Sequence, residues 1–302
     1  MDATYLFVGR PADPCYTDVR NVLETRGFAT DVISDPFVHP YSFSWVLDTE
    51  HSQSSVASEG CESLPHDRIA GVVVFGPEWI DPVGWGADDL TYAQAETQAA
   101  LLAWLWSLPC PVINRYSPAI WYRPTAPLLA WHGLLRQAGL PTLETRVTNV
   151  GNVANGVSRR LEGNGHVSEG VVYAPLTTDT RYLVNTDEDW RGVAALQAVT
   201  PVALTAPHGK PLWVCVVGDH VVWDAEPSLA AASLERGLRA FARATGLAVL
   251  EVALAPTSKG LCVVAVETRP RLEHLREATR SNVIQRIVAL LTAQVPAEGA
   301  AT

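Results

Sequence analysis

The chain has 302 residues, a net charge of −10 and an isoelectric point of about 5.2. This acidic balance argues against a general nucleic-acid or anionic-membrane binder, because neutralising phosphates requires a basic face. Hydrophobic residues make up 48% of the chain and no apolar run reaches membrane-spanning length, which predicts a globular protein with an ample core and no transmembrane helix.

The N-terminal third of the sequence predicts strands that alternate with helices. Its elements, in order, are a strand at 4–9, a helix at 18–26, the strand FATDVIS, a strand at 69–76, a helix at 91–108 that Thr91 caps, and the short strand CPVINR. This βαβ order predicts a parallel sheet. Residues 34–68 interrupt it, and they predict a loop or edge hairpin followed by a mobile Ser/Glu-rich stretch.

The rest of the chain predicts a smaller α/β region and then a final pair of strands with helices. A Pro/aromatic segment at 116–127 marks a domain boundary, and residues 151–170 predict a flexible Gly/Asn-rich loop. The elements are a helix at 127–138, a hairpin of GVVYAPL and RYLVNT, a helix at 190–196, the strand TPVALTA, the hairpin PLWVCVVGDHVVWDA with its turn at Gly218-Asp219, an amphipathic helix at 228–245 and a closing helix at 277–292.

The stretch at 246–276 concentrates charge at the end of an apolar strand. It contains AVLEVAL, the turn TSKG and LCVVAV, followed by Glu267, Arg269, Arg271, Glu273 and His274. A carboxylate at the end of a buried strand is costly unless it meets a partner or a metal, so this cluster predicts a ligand cleft. An ion-pair network at the strand end explains the same pattern equally well.

The five cysteines predict reduced thiols in a cytoplasmic protein. Their number is odd, no CxxC occurs, and zinc-ligand spacing is absent. The first residues, MDATYLFVGR, lack the basic and apolar regions of a signal peptide. Lysine is unusually rare, because only Lys210 and Lys259 among the 22 Lys and Arg residues are lysines.

Four stretches, in this order, resemble the ATP-grasp superfamily, and within it the ligases that modify ribosomal protein tails and the peptide-maturing enzymes. They are YAQAETQAALLAWLWSLPCPVINR, AGLPTLETRVTN, PLWVCVVGDHVVWDA, and ATGLAVLEVAL with GLCVVAVETRP. The resemblance implies an α/β fold with a parallel pre-grasp domain at 1–118, a central or first grasp lobe at 119–200 and a C-terminal grasp lobe at 201–302. It also implies ATP and Mg²⁺ as the cofactors of a carboxylate–amine ligase.

The resemblance places substituted residues at the family's phosphate-binding positions. Tyr173, on the predicted strand GVVYA, stands at a lysine position, and the earlier lysine falls at Pro127 or Leu128. Trp213 stands where an arginine starts the hairpin strand. No nearby lysine replaces them, and each lost charge-assisted phosphate contact is worth roughly 1.5–3 kcal/mol.

At the metal-binding positions the match is partial. The acid of the penultimate strand aligns with Ala253, although Glu251 lies two residues earlier on the same face and is able to substitute for it. Glu267 matches the family glutamate, and Arg269 stands where an asparagine is expected. Because arginine repels Mg²⁺ and pairs readily with carboxylates, the resemblance predicts a Glu267–Arg269 pair.

Two interpretations follow from these substitutions. In the first, the nucleotide site has decayed, no cofactor is assigned, and the chain binds a peptide, a protein or an active ATP-grasp relative, with a homo-oligomer left open. Trp79, Trp85 and Trp121, in Pro/Gly-rich loops, are then candidates for an exposed interface.

In the second interpretation the chain is an active ligase that grips phosphates with arginines. Arg159, Arg160 and Arg181 lie in the lobe that covers nucleotide in the family, and Glu251 and Glu267 would hold one magnesium ion. An enzyme of another class is a third interpretation, but no nucleophile–base pair is visible around the scattered histidines.

Overall fold

The computed structural model describes residues 3–9, 14–33, 41–48, 52–58, 62–75, 84, 86–122, 127–150, 171–176, 180–205, 209–257 and 260–293. Within these ranges the chain forms a parallel sheet, three antiparallel sheets and the helices that pack on them. The predicted flexible loop at 151–170, with Arg159 and Arg160, lies outside the described residues, as do Trp79, Trp85 and Lys259.

A parallel sheet forms the N-terminal part of the fold, as the βαβ start predicts. Its strands are β1 (Thr4–Val8), β2 (Ala29–Ile33), β6 (Ile69–Val74) and β7 (Val112–Ile113), in the order β2-β1-β6-β7, with helices α1 (Pro14–Thr25) and α2 (Ala87–Ser107) between them. Every residue of β1 is buried, which explains its continuous apolar sequence.

Helix α2 begins earlier than the sequence predicts. Its N-cap is Gly86, and the predicted cap Thr91 lies inside the first turns, where its hydroxyl donates to the carbonyl of Ala87. At the other end, the guanidinium of Arg115 donates to the carbonyls of Trp106 and Leu108. Arg115 thereby satisfies carbonyl groups that a helix C-terminus leaves without partners.

An antiparallel sheet follows where the sequence predicts an edge hairpin and a mobile stretch. Its strands are β3 (Tyr41–Leu47), β4 (Ser52–Ser58) and β5 (Leu64–Pro65), in the order β3-β4-β5. The hairpin is confirmed, but the predicted mobility is wrong for β4. The indole of Trp104 donates to Ser54 Oγ at 2.8 Å, and the Ser54 N–H donates to His66 Nδ1 at 3.0 Å, so this Ser-rich strand is fixed on its inner face.

The central lobe is an antiparallel sheet with one helix on one face. After α3 (Pro118–Trp121) and α4 (Leu128–Gln137) come β8 (Thr145–Thr148), β9 (Val171–Ala174), β10 (Tyr182–Val184), α5 (Asp187–Gln197) and β11 (Val202–Thr205), and the strand order is β10-β9-β11-β8. The predicted β9–β10 hairpin is confirmed. A capping box between Thr186 and Asp189 fixes the start of α5.

The C-terminal lobe carries the stretch that the sequence singled out. Its strands are β12 (Leu212–Val217), β13 (His220–Trp223), β14 (Val249–Thr257) and β15 (Gly260–Glu267), in the order β13-β12-β14-β15. The turn at Gly218, with φ of 56°, confirms the predicted β12–β13 hairpin. The helix predicted at 228–245 is instead two helices, α6 (Leu229–Ser233) and α7 (Glu235–Thr245), which meet at Leu234.

The last helix, α8 (Glu277–Thr292), joins the C-terminal lobe to the parallel sheet. Its buried Val283 and Ile287 belong to a cluster that also contains Phe7 of β1 and Val217 of β12. None of the described helices combines the length and the apolarity that crossing a membrane requires. The four cysteines in the described ranges are free thiols, at positions Cys15, Cys110, Cys215 and Cys262.

Gly237 allows α7 to approach the end of α4 closely. A Cβ atom at Gly237 would lie 2.9 Å from the Ala138 carbonyl oxygen and 2.8 Å from a methyl carbon of Leu140. We therefore expect Gly237→Ala to lower the free energy of unfolding by about 1–3 kcal/mol, as overpacking does elsewhere. Denaturant-induced unfolding measures this change.

Gly192 is the matched control for this substitution. It lies in α5, and a Cβ atom there would meet nothing within 4 Å. Gly192→Ala is expected to raise the free energy of unfolding by about 0.5–1 kcal/mol, because alanine loses less conformational freedom in a helix than glycine. If both substitutions stabilise the protein, the contact between α7 and the end of α4 is looser than the distances indicate.

Candidate functional site

The antiparallel register of the C-terminal sheet pairs two acidic residues. Glu251 of β14 lies directly opposite Glu267 of β15, whereas Ala253 lies opposite Ala265 and beside Trp213 of β12. Side chains at directly opposite positions have Cβ atoms about 4.5–5.5 Å apart. The register therefore brings Glu251, rather than Ala253, next to Glu267.

Glu251 is fully buried and is held by the backbone that follows β15. Its Oε2 atom accepts the Arg271 N–H at 2.9 Å, and its Oε1 atom has no hydrogen-bond partner. Burial raises the pKa of Glu251 from 4.5 to about 7. Interactions with the backbone N–H groups of Arg271 and Leu272 oppose this rise, and the nearby charges of Glu267 and Glu273 add to it. Near neutral pH the carboxyl group is therefore divided between its neutral and ionised forms.

The β15–α8 connection (residues 268–276) is attached to the segment that follows strand β7 of the parallel sheet. The carbonyl of Thr268 accepts hydrogen bonds from Tyr116 Oη at 2.8 Å and from Asn114 Nδ2 at 3.3 Å. Leu272 is fully buried and has φ of 59°, a left-handed conformation that costs a residue with a Cβ atom about 1–2 kcal/mol. The surrounding packing holds this conformation next to the Arg271 N–H that Glu251 accepts.

Aromatic rings stack beside the two carboxyl groups. The ring of Trp213 lies on the ring of His274 with centroids 4.3 Å apart and an angle of 8° between the planes. Glu273 Oε1 lies 4.0 Å from His274 Nε2 and 3.9 Å from a terminal nitrogen of Arg271. The charged residues predicted as a cleft thus include an exposed Arg271–Glu273 ion pair with the His274 ring beside it.

Glu267 and Arg269 are both half-buried and lie at the end of β15 and just beyond it. Each has an interaction of its own in the structure. The direct Glu267–Arg269 pair stays a prediction. Within the described ranges, no group of three or more His, Cys, Asp or Glu side chains is placed to hold a metal ion.

A small pocket lies between the central lobe and the C-terminal lobe. It has a volume of about 40 Å³, and its lining includes Pro127 and Leu128 at the start of α4, Ala174 of β9 and Val264 of β15. Arg181 is the only charged residue that lines it in the described part of the chain. The substituted lysine position at 127–128 therefore faces a mostly apolar space.

Tyr173 lies on the other face of the central sheet from Ala174. It packs against the cluster that contains Val193 of α5, and its ring stacks on that of Tyr182 with centroids 5.8 Å apart. Because neighbouring residues of a strand point to opposite faces, β9 presents Ala174 to the pocket and Tyr173 to the helix side. Neither position supplies a cation.

Asn114 is a site residue that sequence reasoning missed. Its Oδ1 atom accepts the Val249 N–H at 2.8 Å, and its Nδ2 atom donates to the Val249 carbonyl at 2.8 Å, across 135 residues of sequence. Asn114 has φ of 59°, which asparagine tolerates better than most residues. The sequence feature that could have identified it is its position, a polar amide at the end of the predicted strand CPVINR.

The tryptophan prediction also needs a correction. Trp121, expected as part of an exposed interface, is buried and packs edge-on against Tyr116 with ring centroids 5.9 Å apart. A loop-like Pro/aromatic sequence suggested exposure, but the short helix α3 turns this side chain into the core.

Solved structures with the same fold are ATP-grasp ligases. A macrocyclase from Microcystis aeruginosa, MdnC, crystallised with its precursor peptide MdnA, has a TM-score of 0.73 at 15% identity over 96% of this chain and 99% of its own. The ATP-grasp ligase PsnB in complex with a minimal precursor has a TM-score of 0.71 at 17% identity, over 98% and 100% of the two chains.

A third structure carries a bound nucleotide. A RiPP-associated ATP-grasp ligase from Chryseobacterium gregarium, in complex with ADP and a leader and core peptide, has a TM-score of 0.70 at 15% identity, over 97% of this chain and 98% of its own. No protein-family model and no curated protein matches the sequence.

The architecture is therefore the ATP-grasp fold, with a parallel α/β domain followed by antiparallel lobes, as the sequence resemblance implies. Within that fold class, the solved structures named above are ligases crystallised with precursor peptides.

Proposed function

We propose that this protein is a peptide- or protein-binding partner in a modification or biosynthetic pathway, built on the ATP-grasp fold and working without magnesium–ATP chemistry. The bound precursor peptides of the structurally similar ligases support the peptide part of this proposal. The burial of Glu251 beneath the β15–α8 connection is the observation that carries the rest.

Magnesium does not fit the donor set around Glu251. Mg²⁺ requires near-octahedral oxygen ligands at about 2.0–2.1 Å and usually keeps several waters. Glu251 is fully buried, one of its oxygens accepts a backbone N–H, and its raised pKa favours the neutral form that binds metal poorly. Only its Oε1 atom is left for a cation, and Glu267 is the one acid opposite it.

Nucleotide phosphates meet a similar difficulty. The Trp213 and His274 rings occupy the hairpin start, where the resemblance places an arginine. The interlobe pocket of about 40 Å³ is far below the roughly 300 Å³ at which small-molecule sites begin. A nucleotide would have to separate the lobes, and in the described ranges Arg181 is the one cation that lines the space between them.

Thermal unfolding with and without Mg-ATP tests this proposal. A ligand that binds only the folded protein at 100 times its dissociation constant stabilises it by about 2.7 kcal/mol, which raises the melting temperature measurably. We expect no shift with Mg-ATP. A clear rise, together with ATP consumption in the presence of a peptide, would overturn the proposal.

The active-ligase alternative has one observation in its favour. Arg181 lines the interlobe pocket, and a guanidinium is able to hold a phosphate through paired hydrogen bonds. In that case Arg181→Ala would abolish a Mg-ATP-dependent rise in melting temperature. The exposed Arg191 of α5 serves as the matched control, since its Nε donates only to a carbonyl of its own helix in the described structure.

A further inference from the structure

Among the described residues, β3 is an edge strand, and its sequence lacks the features that usually prevent strand addition. It pairs with β4 along its whole length in an unbroken antiparallel register, and β4 lies between it and β5. Its sequence, YSFSWVL, contains no charge and no proline. Natural proteins protect exposed edges with charges, prolines, bulges or short strands, and β3 has none of these.

The hairpin that carries β3 is fixed to the core by its inner face. Phe43 packs edge-on against Trp104 with ring centroids 5.6 Å apart, and the indole of Trp45 donates to Ser52 Oγ at 3.0 Å. The outward positions stay open, since Ser44 is exposed and Val46 is 62% exposed. A rigid, open edge of this kind loses little conformational entropy when another strand pairs with it.

A groove runs along the outer face of the same sheet. Its volume is about 690 Å³, within the range of about 300–1,000 Å³ typical of ligand sites. Ser44 and Val46 of β3, with Gln53 and Ser55 opposite them on β4, form its floor, and His66 and Asp67 stand on its far side. An added strand therefore finds side-chain positions beside its backbone pairing, which is how strand addition acquires specificity.

Charge decides between the occupants that this edge could take. Asp67 is the only residue lining the groove in the described structure that carries a full charge at neutral pH, and the chain as a whole carries −10. A second copy of this chain would bring the same negative charge to the contact, whereas a basic segment would be attracted.

We propose that β3 and the adjoining groove bind an extended, basic peptide segment by strand addition. The segment adds an antiparallel or parallel strand to the β3 edge and places apolar side chains beside Val46. It also carries lysine or arginine residues, which the negative charge at Asp67 attracts across the groove. This assignment rests on the proposed peptide-binding function and gives it a location outside the interlobe cleft.

Fluorescence anisotropy with synthetic peptides tests the site. The probe is a short labelled peptide that repeats Lys-Lys-Val-Val, so that each face of its strand carries both residue types. It is compared with a Glu-Glu-Val-Val peptide and with a Lys-Lys-Val-Val peptide that is N-methylated at every residue. We expect the basic probe to bind and to weaken as salt is added. The acidic probe and the N-methylated probe, which cannot form the backbone ladder, are expected not to bind.

Variants of the full chain locate the binding. Val46→Lys is expected to weaken binding about tenfold or more, because a charge on an edge strand opposes strand addition. Val199→Lys is the control, since Val199 is an exposed valine just beyond α5 and outside every described strand. Asp67→Asn is expected to reduce the preference for the basic probe over the acidic one.

Several results would overturn the assignment. If Val46→Lys and the wild type bind the peptide equally, the peptide binds at a site other than β3. If only Trp213→Ala loses binding, the peptide binds in the cleft between the lobes, and the proposed function still holds. A dimer in sedimentation that Val46→Lys dissociates, without peptide binding, would make the second copy the occupant. A Mg-ATP-induced rise in melting temperature with unchanged β3 binding would instead contradict only the proposed function.

Discussion

Above pH 7, Glu251→Gln is expected to raise the free energy of unfolding by about 3 kcal/mol relative to the wild type. Burial raises the pKa of Glu251 from 4.5 to about 7 in the folded protein, which therefore binds this proton more tightly than the unfolded chain does. The carboxyl group consequently lowers stability as pH rises from 4.5 through 7. Below pH 4.5 it is protonated in both states and the penalty disappears.

Glutamine is the suitable replacement because it copies the neutral form of the side chain. Its carbonyl oxygen is able to accept the Arg271 N–H, as Glu251 Oε2 does. The variant therefore keeps the contact with the β15–α8 connection but loses the titration. The difference in unfolding free energy between variant and wild type, measured by urea unfolding across this pH range, isolates the contribution of the one group.

Glu188→Gln is the control, since Glu188 is an exposed carboxylate in the first turn of α5, away from Glu251. It removes one carboxyl group without changing the buried site, so it is expected not to reproduce the stabilisation of Glu251→Gln. A wild type and a Glu251→Gln variant with the same pH dependence would show that the carboxyl group is solvated. Stabilisation of the wild type by Mg²⁺ above pH 7 would contradict the proposed function as well, because a bound cation favours the ionised form.

The C-terminal lobe shows how much of this fold is predictable from the local sequence. β-Branched runs separated by Gly218-Asp219 predict the β12–β13 hairpin, and the structure confirms it with matched register. The same reasoning finds β14 and β15 and places Glu267 at the end of β15. These features depend on side-chain periodicity and turn chemistry, which neighbouring residues determine.

Features that depend on distant partners were not predictable in this way. The serines of β4 suggested a mobile stretch, because nothing in the local sequence shows that Trp104 and His66 provide hydrogen-bond partners for Ser54. Family alignment pointed to Ala253 as the acid position, whereas the register pairs Glu251 with Glu267. Cross-strand pairing is a property of two strands, so one strand's sequence leaves it undetermined.

The protonation behaviour of the candidate site is the feature that the sequence predicts least well. The sequence supplies the carboxyl group of Glu251, but its raised pKa comes from burial beneath the connection that contains Leu272. That connection is in turn held by Asn114 and Tyr116, which precede it by about half of the chain. A group's environment in a folded protein is assembled from such long-range contacts, and they set its titration.

Asn114→Ala is expected to lower the free energy of unfolding by about 3–5 kcal/mol. Asn114 is fully buried, and its amide group satisfies both the N–H and the carbonyl of Val249, where β14 begins, as well as contacting the Thr268 carbonyl. Alanine leaves the Val249 groups buried without partners, and each unsatisfied group costs about 1–3 kcal/mol. It also keeps the unfavourable φ of 59°.

Asn114→Gly separates the backbone conformation from the hydrogen bonds. Glycine removes the same amide group but adopts positive φ without strain, so this variant is expected to be about 1 kcal/mol more stable than Asn114→Ala. Tyr116→Phe, which removes only the hydroxyl that donates to Thr268, is expected to cost about 1 kcal/mol. The order of the three stabilities therefore assigns the larger part of the effect to the amide of Asn114.

Hydrogen exchange at the Val249 amide provides the site-specific measurement. In the wild type this N–H donates to Asn114 Oδ1 at 2.8 Å, and its exchange is expected to be slow. Both substitutions at Asn114 should increase its exchange rate, whereas Tyr116→Phe should affect it much less. If the Val249 amide stays protected in Asn114→Gly while the protein loses stability, Asn114 stabilises the fold through its packing. The proposed role of its hydrogen bonds at the start of β14 would then be wrong.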